Sequence, residues 1–310
     1  MSKTKKLMLA VLTSCSASAF AQTQVYGLVD LNVTSAKHSA LKMSNYNTSR
    51  LGFKGKEDLG SGLTAIFQLE AELAADTGVV DTTAFFGRQS WVGVETALGT
   101  LRVGRTKALL DGLSDDIDPF GNNGVVGDYT TKVWRVGVAK SRISNALVYK
   151  SPRIQNMTVS AAASLSELKG ASDGYALALQ YKDESLNVIA AKERLVVTTA
   201  GAAQTSASTL GASYKLGDFK LLAAQNRGET NVASKGNNTG TTIGVEYELG
   251  STTLKAVSGK LKNSKTGSTV DVIGLGAEHA LSKRTQVYAH LASEDISKFQ
   301  AVSLGIAHRF

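Results

Sequence analysis

Two groups of charged side chains are the first candidates for chemistry in this sequence. Four aspartates are crowded into one short stretch, and seven arginines are spread through the first half of the chain. The aspartates are Asp111, Asp115, Asp116 and Asp118, and the arginines include Arg50, Arg88, Arg105 and Arg142. Guanidinium groups that face carboxylates create an electric field that sorts ions, because arginine rings favour anions and aspartate rings favour cations. Arginine suits this role because it stays charged in a confined site.

Residues for enzymatic or metal chemistry are sparse by comparison. The four histidines have no metal-ligand spacing, so we predict no metal site and no cofactor. His290 and Ser293 are near each other in sequence, but this proximity alone does not make a catalytic constellation. No glycine-rich loop opens a helix after a strand, so nucleotide binding is not supported. We therefore predict that the chain is not an enzyme. Its basic residues are not clustered, which argues against a nucleic-acid partner.

Alternation of apolar and polar residues is the main structural signal. Between Leu63 and Leu73 every odd position is apolar and most even positions are polar, and the last ten residues alternate similarly up to Phe310. A period of two indicates a strand with one apolar face. A tilted strand of about ten residues can cross a bilayer. In a soluble sandwich the same apolar face would be the core, so one strand cannot decide between the two.

Short turns recur regularly along the chain and are built from Gly, Pro, Asp, Asn and Ser. We predict seven, at Glu57–Gly62, Glu95–Thr100, Pro152–Asn156, Lys182–Ser185, Leu216–Asp218, Leu249–Ser251 and Ala280–Arg284. Each stretch between two turns reads as strand, polar loop and strand, with one longer exception at about residues 106–141. Seven turns at one rim predict sixteen antiparallel strands, an even number that a closed transmembrane barrel requires. Closure also removes exposed sheet edges.

Aromatic residues support the same arrangement. Tyr149, Tyr181, Tyr214 and Tyr247 each precede a predicted turn and share the parity of the apolar residues in their strand. Tyrosines at one level on an apolar surface are typical of a membrane interface, because the ring is apolar and the hydroxyl needs water. The chain has only two prolines, which suits a protein made mostly of hydrogen-bonded sheet.

The first 21 residues are predicted to be a signal peptide. Lys3, Lys5 and Lys6 form a basic start, an apolar centre follows, and Ala19–Ala21 gives a small-residue cleavage site before Gln22. Residues 22–310 are then the mature barrel. The alternative is a lipoprotein box in which Cys15 is lipidated. Cleavage before Gln22 removes three lysines and no acid, so the formal net charge falls from +8 to +5.

Several segments of the chain together resemble a known family. They are Ser49–Gly55 running into Glu57–Gly60, Phe86–Gln89 with Trp91–Gly93, Leu98–Thr100 with Val103–Arg105, and Leu281–Thr285 before Arg309–Phe310. The chain resembles the general diffusion porins of Gram-negative outer membranes, especially the anion-selective branch of β-proteobacteria. This resemblance implies a multi-pass homotrimer in outer-membrane lipid and lipopolysaccharide, with passive passage of small hydrophilic solutes and anions. It also implies that Phe310 is an assembly signal for the barrel-assembly machinery.

The resemblance also implies that residues 106–141 are a third loop folded into the channel, with its four aspartates facing arginines on the wall. Parity supports Arg50 and Arg142 as lumen residues, because both are out of phase with their apolar neighbours. A lumen position is also consistent with the parity of Arg88, since Gln89 and Trp91 take the opposite parity. Arg105 has lipid parity, unless the alternation breaks where the strand meets the loop.

We therefore predict an all-β, sixteen-stranded outer-membrane channel with a mild preference for anions. Two alternatives remain open. One is a channel selective for a class of small anions. The other is a β protein without a channel, either a surface adhesin with a plugged barrel or a secreted sandwich.

Overall fold

The computed structural model of the chain describes residues 22–37, 39–80, 83–136, 139–197, 199–294 and 299–310. The signal peptide predicted at residues 1–21 lies outside these residues. Strands make up most of the described chain, with two helices between residues 109 and 135. Neither helix is long and apolar enough to cross a membrane.

The strands form one sheet in which neighbours in sequence pair antiparallel. The strands are β1 (Gln22–Ala36), β2 (Lys42–Ser44), β3 (Arg50–Gly60), β4 (Leu63–Ala74), β5 (Val79–Val80), β6 (Gln89–Thr96), β7 (Gly99–Lys107), β8 (Arg142–Lys150), β9 (Met157–Ser164), β10 (Gly174–Lys182), β11 (Leu186–Arg194), β12 (Ser206–Leu216), β13 (Phe219–Glu229), β14 (Asn238–Leu249), β15 (Thr252–Asn263), β16 (Thr269–Ala280), β17 (Thr285–Glu294) and β18 (Phe299–Arg309). The helices are α1 (Leu109–Ser114) and α2 (Gly124–Arg135). Because β2 and β5 are short additions within loops, the described wall has the sixteen long strands that the turns predicted. All seven predicted turns join neighbouring long strands.

The first strand closes the wall. One half of β1 pairs with β3, from Gln22 opposite Lys56 to Leu28 opposite Arg50. The other half pairs with β18, from Leu28 opposite Arg309 onward. The backbone N–H groups and carbonyls of Gly27 and Phe310 then bond to each other, with N···O distances of 3.0 and 3.2 Å. The sheet is therefore a closed barrel without a free edge between β1 and β18.

The two faces of the wall have the reverse polarity of a soluble protein. Side chains on the outer face are apolar and exposed, as for Leu177, Leu210 and Ile243, which are 60–62% exposed. On the inner face, Asn32 and Asn226 are at most 2% exposed. A soluble protein would bury the apolar set instead. An apolar outer band around a polar interior is the arrangement of a transmembrane barrel.

The long loop between β7 and β8 folds into the barrel. Helix α1 packs against β9–β11 and helix α2 packs against β13–β18, so the loop crosses the interior. Two wall glycines allow this close approach. A methyl group at Gly274 would lie 2.2 Å from Val126, and one at Gly276 would lie 2.7 Å from the ring of Phe120. The segment that the resemblance implied to be an inward loop thus packs against the wall through both of its helices.

Charge on the outer face is expected to oppose insertion. Leu275 on β16 lies opposite Ala256 and Leu291 and is exposed. Leu275→Arg should destabilise the barrel in lipid vesicles by about 2–4 kcal/mol, because the guanidinium would enter hydrocarbon. Folding equilibria in urea measure this cost. The control is Ser160→Arg, whose side chain joins the lining of an inner cavity. Equal costs for the two variants would contradict the assignment of the faces.

Candidate functional site

A charged cavity of about 800 Å³ lies between the inward loop and the wall of β4–β8. Its lining holds five basic and four acidic side chains. The basic residues are Arg88, Arg105, Lys107, Arg135 and Arg142, and the acidic residues are Glu72, Asp76, Asp111 and Asp115. Charges of both signs therefore face one water-accessible space, with one base more than acids.

On the wall, Glu70 organises two of the predicted arginines. Arg88 Nε donates to Glu70 Oε1 at 2.7 Å, and Arg50 Nε lies 3.8 Å from Glu70 Oε2. Tyr26 donates its hydroxyl to the same carboxylate at 2.8 Å. Arg50 also lies opposite the buried Leu28 on β1 and opposite Glu72 on β4. Arg50 and Arg88 thus belong to one partly neutralised cluster on the inner face.

The structure brings Arg88 to the inner cluster, as predicted. The reason given for it was wrong, because Gln89 and Trp91 do not lie on the outer face. Gln89 lies opposite Glu70, and Trp91 lies opposite Gln68, so both belong to the inner face. The Arg102 guanidinium lies over the Trp91 ring, 5.1 Å from its centroid. Arg88 precedes β6 at a bend, where strand alternation has not begun. Its position therefore does not follow from the phase of the strand.

Arg142 and Arg105 donate to neutral oxygens. Arg142 donates to the carbonyls of Arg88 and Ser141, at 2.9 and 3.0 Å. Arg105 donates to the Gly87 carbonyl and the Ser144 hydroxyl, both at 2.6 Å. Within the described residues, neither guanidinium has a carboxylate at ion-pairing distance. The register between β7 and β8 shifts next to Arg105, so simple parity does not apply there.

The loop carries its own basic partners for two of its aspartates. Arg135 Nη2 lies 3.0 Å from Asp111 Oδ1, and Lys107 Nζ lies 3.6 Å from Asp111 Oδ2. Lys107 also contacts the carboxylate of Asp115. These pairs connect the end of β7, helix α1 and helix α2. They hold the two carboxylates beside the cavity.

The other two aspartates are not brought to this cavity. Asp116 turns to the wall, where its Oδ2 accepts from Gln180 at 3.1 Å and lies 3.6 Å from Lys182 Nζ. Asp118 is buried inside the loop and accepts the N–H groups of Phe120 and Asn122, at 2.9 and 3.3 Å. Burial raises the pKa of the Asp118 carboxyl, and those N–H groups act in the opposite direction. Asp118 therefore shapes the loop tip.

The loop tip is wedged into an aromatic cluster on the wall. Phe120 is fully buried, and its ring lies 5.2 Å from the His290 ring, centroid to centroid. Tyr46, from the first loop, donates its hydroxyl to the Phe120 carbonyl at 3.2 Å and packs edge-on against His290. His290 stacks on Tyr288. This cluster fixes the tip of the loop against β16 and β17 and against the first loop.

Sequence reasoning missed five charged residues at the site, which are Glu70, Glu72, Asp76, Lys107 and Arg135. The inner position of Glu70 could have been predicted, because Glu70 takes an even, polar position in the alternating strand β4. The positions of Lys107 and Arg135 could not, because the loop that pairs them with Asp111 has no periodic pattern. Among the described residues, no group of three or more His, Cys, Asp or Glu side chains is placed to hold a metal ion.

Removal of the Asp118 carboxylate is expected to loosen the loop tip. Asp118→Ala should speed hydrogen exchange of the Phe120 and Asn122 amides by about tenfold or more, the effect of losing charge-assisted hydrogen bonds. Exchange measured by mass spectrometry on the folded barrel checks this. Asp116→Ala is the control, because the Asp116 carboxylate contacts the wall side chains Gln180 and Lys182. Unchanged exchange in Asp118→Ala would contradict the role of Asp118.

Comparison with known proteins identifies relatives. A family model described as Gram-negative porin matches residues 8–298. Major outer membrane protein P.IB of Neisseria meningitidis serogroup B is 28% identical over 193 residues, covering 58% of this chain and 55% of that protein. Outer membrane porin protein 32 of Delftia acidovorans is 32% identical over 162 residues, covering 48% of this chain and 46% of that protein. The chain thus spans about half the length of the curated relatives it matches.

Solved structures share the architecture. The anion-selective porin from Comamonas acidovorans has a TM-score of 0.81 at 24% identity, covering 94% of this chain and 100% of that one. The trimer form of OmpT from Vibrio cholerae has a TM-score of 0.73 at 15% identity, covering 94% and 99%. These likenesses show the fold of the barrel. With the family match over most of the sequence, they lead to one conclusion: this chain belongs to the Gram-negative porin family and spans the bacterial outer membrane many times.

Proposed function

We propose that this porin forms a water-filled channel for the passive diffusion of small hydrophilic solutes and ions, with a mild preference for anions. One observation carries the proposal. A closed barrel with an apolar outer face contains a charged cavity of about 800 Å³ beside its inward loop. A polar, hydrated interior is what solutes need in order to cross a hydrocarbon layer.

The balance of charge supports the anion preference. Bases outnumber acids by one around the cavity. Arg50 and Arg88 share the Glu70 carboxylate, whereas Arg105 and Arg142 bond to neutral oxygens in the described structure. Guanidinium groups that no carboxylate neutralises attract anions. The Comamonas relative is named as anion-selective, which agrees with this direction.

The proposed constriction combines the wall arginines with two of the loop aspartates. Arg50, Arg88, Arg105 and Arg142 supply the positive side. Asp111 and Asp115 supply the negative side, each moderated by a basic side chain of the loop. Asp116 and Asp118, predicted for the same role, are assigned here to holding the loop.

The proposal also covers the oligomeric state of the barrel, its lipid surroundings and its assembly. We propose that the barrel is a homotrimer in outer-membrane lipid and lipopolysaccharide and has no enzymatic activity. The trimer form of the Vibrio relative supports the assembly. Phe310 is half exposed, and its ring covers the backbone of Gly27, so it is accessible as the proposed signal for the assembly machinery.

Single-channel reversal potentials in a salt gradient test the proposal. The wild type should favour chloride over potassium. Arg142→Gln should lower the chloride-to-potassium permeability ratio by about tenfold, because one unit charge about 6 Å away changes the energy of each ion by about 0.7 kcal/mol in a water-like medium, with opposite signs for the two ions. Glu70→Gln should raise the ratio, because it removes the carboxylate that Arg50 and Arg88 share, although Arg88 keeps Glu72 at 3.5 Å. Both variants are measured by the same method.

Lys283→Gln is the matched control, because it removes one positive charge in the exposed turn between β16 and β17. Its permeability ratio should equal that of the wild type. If Arg142→Gln and Lys283→Gln behave alike, the selectivity does not arise at the proposed constriction. A wild type that inserts but does not conduct would reject the channel itself.

A further inference from the structure

A second cavity of about 240 Å³ lies behind helix α1, between the loop and strands β8–β11. Part of its lining is apolar and comes from Leu109 on α1 and from Ile143, Ala162 and Ala176 on the wall. Arg105 and Arg142 line both this cavity and the main one. The second cavity is therefore a side chamber next to the proposed constriction.

A buried carboxyl group in this chamber has an unsatisfied oxygen. Glu193 on β11 lines the chamber and is 4% exposed, and its Oε1 has no hydrogen-bond partner among the described residues. Its neighbours directly across the sheet are Ala176 and Ala207, whose side chains offer no donor. A buried polar atom without a partner costs free energy, and such atoms are rare in folded proteins. Among the described residues, the wall therefore provides no hydrogen-bond donor to Glu193 Oε1.

Basic groups without carboxylate partners line the same chamber. They are Arg105, Arg142 and Lys140, together with Arg194, whose guanidinium lies over the ring of Tyr175, 5.9 Å from its centroid. Within the described residues, none of the first three has a carboxylate at ion-pairing distance, and Arg105 and Arg142 donate only to neutral oxygens. An arginine has five N–H donors, so these contacts leave donors for a ligand. The chamber thus offers a carboxyl oxygen that can accept a hydrogen bond and basic groups that can donate hydrogen bonds, around an apolar surface.

We infer that this chamber is a binding subsite for a small zwitterion, a free α-amino acid with a short apolar side chain. Its ammonium group donates to Glu193, and its carboxylate accepts from Arg105, Arg142 and Lys140. The short side chain lies on the apolar lining. The inference rests on the proposed function only in that solutes reach the chamber through the channel.

Equilibrium binding to the purified, detergent-solubilised barrel tests this subsite without any measurement of current. Isothermal titration calorimetry uses L-alanine as the probe, with propionate and ethylamine as analogues that each lack one charged group. L-alanine should bind at least tenfold more tightly than either analogue, because each analogue loses one charge-assisted contact. Glu193→Gln should weaken L-alanine binding by about tenfold and should not weaken propionate binding.

Glu246→Gln is the matched control, since Glu246 is a wall acid on β14 outside the chamber, paired with Lys220 at 3.1 Å. Its affinity for L-alanine should equal that of the wild type. Equal binding of L-alanine and propionate to the wild type would overturn the subsite, and this comparison stands even if Glu193→Gln fails to fold. Unchanged affinity in folded Glu193→Gln would also overturn it. Absence of any binding would reject the subsite and leave the channel proposal to the reversal potentials.

Discussion

The rest of the structure depends on the need to pair every backbone N–H and carbonyl group that lies in the membrane. Hydrocarbon offers no hydrogen bonds, so a strand can cross it only inside a closed sheet. Here β1 meets that need by pairing with β3 along one half and with β18 along the other. Once the sheet is closed, the alternation of side chains assigns every residue to lipid or to the interior. The apolar outer face and the polar inner face follow from that single constraint.

A sixteen-stranded barrel has more interior than its wall side chains can fill, and the inward loop occupies part of it. Two kinds of contact hold the loop. The buried tip at Phe120 docks between Tyr46 and His290, and Gly276 gives it room on the wall. Charge pairs between Asp111 and the loop's own bases fix the other side. The loop therefore leaves open space on the arginine side, where we propose that solutes pass.

Much of the fold could be predicted from the sequence, because turn chemistry and two-residue alternation are local signals. All seven turns and the sixteen long strands were predicted from them, and parity assigned Arg50 and Arg142 to the inner face. The same signals failed where alternation stops. Arg88 lies before its strand begins, Arg105 lies beside a register shift, and Asp118 lies in a loop whose burial depends on tertiary contacts.

The residues of the side chamber could not be predicted from the sequence for a related reason. Glu193 follows the alternation of β11, which predicts an inward side chain but not whether a partner faces it. That depends on helix α1 and on Ala176 and Ala207 across the sheet. Such cross-strand and loop-to-wall relations join residues far apart in sequence, so no local pattern contains them.

The central claim is that lipid faces one side of each strand and water the other. The most direct test is the reactivity of single cysteines along β9 in reconstituted membranes towards a water-soluble, membrane-impermeant maleimide. Thr158→Cys and Ser160→Cys, which line an inner cavity, should react quickly, while Val159→Cys should be protected until the protein is unfolded. This alternation is the result our account predicts. Equal reactivity at all three positions in the folded protein would contradict it.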